Sequence, residues 1–167
     1  MNRNEMNKQT RLSEHFTLGE LCKTSVNSLD GNIPSSEEVE NLKRLCPWLE
    51  ELRYTYNTLY CLKPGEDYET SPSVEPVVVS SGYRSPEVNR CVGGVYSSNH
   101  LSGCAVDIRC AGAEQAIRYA AILLDTADEW KQDFDELLIE RNRKGRYWVH
   151  FAVRPGQNRR RVAFIAA

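Results

Sequence analysis

The sequence has few of the features that mark membrane, secreted or nucleic-acid-binding proteins. No apolar run approaches the roughly 20 residues that a bilayer-spanning helix needs, so we expect no membrane insertion. Residues 1–16 lack the apolar core of a secretory signal, and we therefore expect a protein that is cytoplasmic as synthesised. The formal net charge of −2 gives no general attraction to nucleic acid or to an anionic membrane.

Closely spaced cysteines are also absent. The six cysteines stand singly, without a CxxC pair, which argues against a disulfide framework and against a cysteine-rich zinc knuckle. Two basic runs, RNRKGR at 141–146 and RPGQNRRR at 154–161, contain no interleaved aromatic side chain. Because single-stranded nucleic acid is usually bound on aromatic platforms, we interpret these runs as solvated turns or as a patch for an anionic surface. We expect no nucleic-acid partner.

Helix signals lie early in the chain. Capping-box spacing joins Thr17 to Glu20 and Ser35 to Glu38, which predicts a short helix and then a long one. Pro47 should kink the long helix or split it in two. A later segment, GAEQAIRYAAILLDTA, has the apolar spacing of an amphipathic helix.

Strand signals dominate the second half. The β-branched or apolar runs there are VVVSSGYRS, CAVDIRC, FDELLIE and YWVHFAV. With 167 residues, one domain can bury a working core. We predict an α+β fold with a small, mostly antiparallel sheet packed with helices. We place this domain at residues 13–167, after a flexible N-terminus at residues 1–12.

Two polar residues within apolar strands point to a metal. The chain has only three histidines, and His150 lies within the most apolar strand, where an imidazole needs a partner. Asp107 stands between Val106 and Ile108, where a carboxylate should be paired or coordinated. Together with His100 they form two histidines and one carboxylate, a set that catalytic zinc uses. An HExxH motif is absent, so separate strands must assemble such a site.

Three motifs in order carry a resemblance to a known family. SGYRSPEVN, SNHLSGCAVDI and the pair FDELLIE and WVHFAV resemble the zinc D-alanyl-D-alanine carboxypeptidases and related phage endolysin peptidases. This family shares its fold with the hedgehog signalling domain. The hallmark S-x-H-x-x-G-x-A-x-D matches residues 98–107, and the resemblance extends over about residues 13 to 165.

The resemblance implies a role for several residues. His100, Asp107 and His150 would bind zinc. Arg84 would hold a terminal carboxylate or a peptide carbonyl of the substrate through its guanidinium fork, and Ser98 would hydrogen-bond the substrate near the metal. The expected protein is a monomeric zinc metallopeptidase that acts on the peptidoglycan stem peptide. Either a carboxypeptidase or an endopeptidase fits.

The general base is the open question. Many relatives have an acidic residue three positions before the last histidine, where this chain has Tyr147. Tyrosine, with a pKa of about 10, is a poor base at neutral pH. We predict that Glu140 is the base, provided that it faces Trp148 across the hairpin, with Glu136 as the substitute. The alternative is a non-catalytic, zinc-stabilised cell-wall-binding domain that has lost the base.

Overall fold

The computed structural model describes residues 7–167, and the chain alternates between helices and short strands. The elements in chain order are α1 (Leu18–Leu21), α2 (Ser36–Tyr60), β1 (Val79–Ser81), α3 (Pro86–Cys91), a 3₁₀ turn (Asn99–Ser102), β2 (Ala105–Arg109), α4 (Ala113–Trp130), β3 (Glu136–Arg141), β4 (Tyr147–Ala152) and β5 (Arg161–Ala166).

Both predicted capping boxes are present. Thr17 and Ser35 each accept a hydrogen bond from the backbone of the glutamate three residues on, and each glutamate side chain bonds back to the cap. The long helix α2 runs without a break through Pro47, so the alternative of two separate helices is wrong. Its buried leucines stay on one face, and their packing offsets the hydrogen bond that proline cannot donate.

The five strands form one sheet in the order β1-β2-β4-β3-β5. All pairs are antiparallel except β3 with β5, which are parallel. This confirms the predicted α+β class with a small, mostly antiparallel sheet. The edge strand β5 was not among the predicted strands.

Alternation along the strands separates two faces of the sheet. On one face Val106, Val149, Phe151 and Leu137 are almost fully buried and join the hydrophobic core with side chains of α2 and α4. Residues of opposite parity, which include Asp107 on β2 and His150 on β4, point to the other face. The helices therefore cover one face and leave the polar face free to form a site.

The N-terminal prediction lies partly outside the described residues, since residues 1–6 belong to the expected flexible segment 1–12. Within the described part, the carbonyls of Lys8 and Thr10 accept hydrogen bonds from the backbone of α1. All six cysteines are free thiols. Of the helices between residues 7 and 167, none is both long and apolar enough to cross a membrane.

Candidate functional site

The three predicted metal ligands lie together on the polar face of the sheet. One ligand atom from each of His100, Asp107 and His150 falls within 4.8 Å of the others. All three residues are buried, with 2%, 8% and 8% of their surface exposed. A cluster of this kind needs a compensating partner, because buried polar and charged groups are otherwise costly.

The sheet register brings Asp107 and His150 together. The two residues are directly opposite each other on β2 and β4, and Asp107 Oδ1 lies 2.9 Å from His150 Nδ1. His100 comes from the 3₁₀ turn that precedes β2, and its Nε2 lies 3.2 Å from the same oxygen. Gly103 ends this turn with φ of 69°, and a Cβ there would lie 2.6 Å from the Glu38 carbonyl oxygen. The turn therefore requires glycine.

Each of the three predicted ligands is held in place through its second polar atom. His100 Nδ1 donates to the Gly82 carbonyl oxygen at 2.7 Å. Arg84 Nη2 donates to Asp107 Oδ2 at 2.7 Å, and His150 Nε2 lies 3.1 Å from Glu136 Oε2. Outer partners of this type orient metal ligands in proteins. As a result, His100 Nε2, Asp107 Oδ1 and His150 Nδ1 are the atoms left to meet at one point.

The pKa values of Asp107 and His150 reflect the attraction between these side chains. Burial alone would raise the pKa of Asp107, but His100 and His150 hold it well below its usual range. Burial alone would lower the pKa of His150, yet its hydrogen bonds to Asp107 and Glu136 raise it to about 9. Without a metal the group is thus an ion cluster, and a cation that binds here must displace the proton of His150.

The donor set fits zinc. Two imidazole nitrogens and one carboxylate oxygen are ligands that catalytic zinc takes, with a further position left for water or substrate. The second-atom contacts of His100, Asp107 and His150 prevent these donors from turning away from the shared point. The three converging ligand atoms come from three different segments of the chain, the 3₁₀ turn, β2 and β4.

A cavity of about 610 Å³ opens above the cluster. Arg84 and Ser98, the two predicted substrate-binding residues, both line it. Arg84 donates to Ser81 Oγ at 2.8 Å as well as to Asp107, so it is fixed beside the three clustered residues. The Oγ of Ser98 accepts a hydrogen bond from the backbone N–H of His100 at 3.2 Å. The cavity therefore offers a cationic and a hydroxyl group next to the cluster.

Both candidate bases face this cavity. Glu140 is opposite Trp148 in the register of β3 and β4, which is the pairing that places its carboxylate on the same face as His150. Burial raises the pKa of Glu140. Glu136 has the opposite shift, because its hydrogen bond to His150, aided by nearby arginines, lowers its pKa to about 2. Glu140 is accordingly the better proton acceptor of the two.

Tyr147 lies on the other face of the sheet. It is partly buried and packs against the hydrophobic core, and it is not among the residues that line the cavity above the His100, Asp107 and His150 cluster. The side chain at the position where many relatives have an acid is therefore directed away from the cluster.

A second layer of polar residues was not predicted. Asp135 is completely buried and receives hydrogen bonds from Asn99 and Arg159. Asn99 also donates to Glu136 at 3.2 Å and accepts from Arg154 Nε at 2.9 Å. The only signal in the sequence was a carboxylate next to Phe134 at the start of an apolar strand.

Comparison with known proteins agrees with this geometry. The family model described as Peptidase M15 matches residues 67–150, half of the chain. The matched range includes Arg84, Ser98 and all three clustered residues, and it ends on His150. No curated protein matches this sequence.

Proposed function

This chain belongs to the peptidase M15 family, a family of metallopeptidases, and from that premise we propose that it is a zinc-dependent peptidase which hydrolyses peptide bonds of bacterial peptidoglycan. The observation that carries the proposal is the convergence of His100, Asp107 and His150, each anchored through its second polar atom. Such a set leaves part of a zinc coordination sphere open for chemistry.

The three ligands would hold the zinc ion. When bound, zinc polarises the scissile carbonyl and lowers the pKa of a coordinated water towards about 7. Asp107 contributes its Oδ1, because Arg84 occupies Oδ2. The Gly82 carbonyl accepts a hydrogen bond from Nδ1 of His100, so His100 would hold the metal through Nε2.

Glu140 is the proposed general base. Its carboxylate would accept a proton from the attacking water as the water oxygen bonds to the carbonyl carbon. The carbon–nitrogen bond then breaks, and Glu140 would return the proton to the leaving amine. The raised pKa of Glu140 supports this role, since a stronger base takes the proton more readily.

Arg84 and Ser98 are the proposed substrate contacts. The guanidinium of Arg84 lies beside the metal ligands and is well placed to bind a terminal carboxylate or a carbonyl oxygen. Ser98 accepts from the His100 backbone, so its hydroxyl hydrogen stays available to the substrate. These contacts would hold the scissile bond over the zinc.

A non-catalytic, zinc-stabilised domain that binds the cell wall is the second candidate. It is favoured by Tyr147, which packs against the core and brings no acid to the cavity. This candidate shares the metal site with the first but predicts no cleavage. The two are therefore separated by activity and not by zinc content.

The test combines metal analysis with digestion. Purified protein is analysed for zinc and incubated with purified peptidoglycan, and mass spectrometry of the released peptides identifies the bond that is cut. We expect one zinc per chain and new peptide products that disappear in the His150→Ala variant. Zinc without products on any wall peptide would favour the binding domain, and protein without zinc would contradict both candidates.

A further inference from the structure

The cavity carries a second group of cationic side chains, far from Arg84 across the sheet. Arg154, Arg159 and Arg161 all line it together with the metal ligands. Arg84 follows β1 at one edge of the sheet, whereas Arg161 begins β5 at the other edge. The ligand strands β2 and β4 lie between these edges. A bond held at the metal cluster thus has arginine on both sides.

The spacing of the strands gives the distance between His150 and the edge strand β5. Strand β5 is two positions from β4, the strand of His150, which corresponds to about 10 Å at about 4.8 Å per strand. An extended peptide advances about 3.3 Å per residue, so this distance corresponds to about three residues of substrate. The three arginines can therefore reach a group within about three residues of the scissile bond.

A buried carboxylate fixes the orientation of two of these arginines. Asp135 is completely buried, and Arg159 donates to it through Nε at 2.9 Å and Nη2 at 2.7 Å. Arg154 Nε lies 3.1 Å from the same carboxylate. The intervening loop is closed by Asn158, whose side chain bonds to both the N–H and the carbonyl of Arg154. The guanidinium groups are thus held before any ligand arrives.

Donors remain available on each arginine. A guanidinium has five N–H groups. Within residues 7–167, the contacts of Arg154 use only Nε, those of Arg161 use only Nη1 on Glu136, and those of Arg159 leave Nη1 unused. Their side chains are 33%, 50% and 50% exposed. An incoming carboxylate can accept hydrogen bonds from these groups without displacing Asp135 or Glu136.

The arrangement differs from ordinary surface charge. Arg160 stands between Arg159 and Arg161 in the chain but turns away and pairs with Asp128 and Asp133. It does not line the cavity. Its neighbours are therefore directed to the cavity by Asp135 and Glu136, and Arg160 provides a control of equal charge in the same run.

We propose that Arg154, Arg159 and Arg161 form a second carboxylate subsite, which selects peptides that carry a free carboxylate on the side of the scissile bond away from Arg84, within about three residues of it. This inference rests on the proposed peptidase function and adds the substrate class. A γ-linked glutamate unit meets the requirement, since its α-carboxylate is free. The subsite contributes through charge-assisted and bidentate hydrogen bonds.

The experiment uses one pair of stem peptides that differ at a single group. One contains γ-linked D-glutamate with a free α-carboxylate, and the other has the same carboxyl group as a primary amide. We expect wild-type protein to prefer the carboxylate by about tenfold or more in kcat/KM. Arg161→Gln and Arg154→Gln should each reduce this preference, and Arg160→Gln should leave it unchanged.

The ratio of the kcat/KM values for the two peptides isolates the effect of the subsite. General damage to folding, zinc binding or the base affects both peptides alike and cancels, whereas loss of the subsite affects only the carboxylate. If neither peptide is cleaved, the dissociation constants of the same pair, measured by calorimetry, test the subsite, and digestion of whole peptidoglycan tests the proposed peptidase function separately. Equal kcat/KM or equal affinity of wild-type protein for the two peptides would overturn the inference, as would an unchanged preference in both cavity variants.

Discussion

Asp107 and His150 face each other across β2 and β4, with Oδ1 and Nδ1 2.9 Å apart. The same Oδ1 lies 3.2 Å from His100 Nε2, while Oδ2 binds Arg84. A shift of one residue in this register would turn His150 into the core and bring Val149 to the polar face. The candidate metal site is therefore a direct consequence of the strand pairing.

Zinc binding should depend on His150. Replacement by alanine removes one of three donors, so we expect zinc affinity to fall by more than about 100-fold, since even outer partners of ligands cost about 10–100-fold. Competition with a zinc-binding dye measures the affinity. The matched control is His15→Ala, because His15 pairs with Glu50 outside the cluster. Equal loss of zinc in both variants would contradict the assignment.

The two glutamates of β3 should have separable effects. Glu140→Gln keeps the shape of the side chain but removes the base, so kcat should fall about 100-fold or more while zinc affinity stays normal. Glu136→Gln weakens the contact that orients His150, so we expect zinc affinity to fall by about 10-fold or more. Steady-state kinetics at saturating zinc, together with zinc titration, distinguish the two roles.

A reversed outcome for these variants would be equally informative. If zinc-loaded Glu136→Gln loses its rate and Glu140→Gln retains it, the base is Glu136. Such a result would mean that bound zinc frees Glu136 from the contact with His150 that now lowers its pKa.

Much of the site was predictable from local sequence. Asp107 and His150 are polar residues in apolar strands, and their burial alone required a partner. The condition set for Glu140, that it face Trp148 across the hairpin, is met in the register. In each case the signal lies within a few neighbouring residues. Because side chains alternate along a strand, these local signals also indicate which face of the sheet each residue occupies.

The polar layer behind the ligands could not be predicted in this way. Asp135 meets Asn99, Arg154 and Arg159, which come from separate segments of the chain. Strand β5, which was not predicted, determines where Arg161 lies. Its sequence, RVAFIA, is apolar at both parities, so it has no alternation to indicate a half-buried strand. Long-range pairing, and not local pattern, decides these contacts.

Peptide hydrolysis should depend on the planar shape of the Arg84 guanidinium and not only on its charge. Arg84→Lys keeps the charge but cannot bridge Ser81, Asp107 and a substrate group with one planar fork, so we expect kcat/KM to fall about 10-fold or more. Peptide hydrolysis by zinc-loaded protein measures this change. Arg90→Lys is the control, because Arg90 is exposed on α3 and does not line the cavity. Unchanged kcat/KM in Arg84→Lys would remove Arg84 from the substrate contacts.

Asp135 should make stability depend on pH in acid. Burial alone would raise its pKa, but the hydrogen bonds from Arg159 and Asn99 lower it to about 2. Because the pKa is lower in the folded state, the stabilisation is complete above about pH 4 and is lost as the pH falls through about 2. A pKa lowered from 3.8 to about 2 corresponds to about 2 kcal/mol. Asp135→Asn should therefore lower the free energy of unfolding by about 2 kcal/mol or more at about pH 7, and by less near about pH 2.5.

Urea unfolding of wild type and Asp135→Asn with zinc chelated measures this difference, since release of zinc in acid would add its own pH dependence. The control is Asp133→Asn, an exposed partner of Arg160, which should change stability by less than about 0.5 kcal/mol. A difference between wild type and Asp135→Asn that is the same at both pH values would show that the charge of Asp135 does not stabilise the fold.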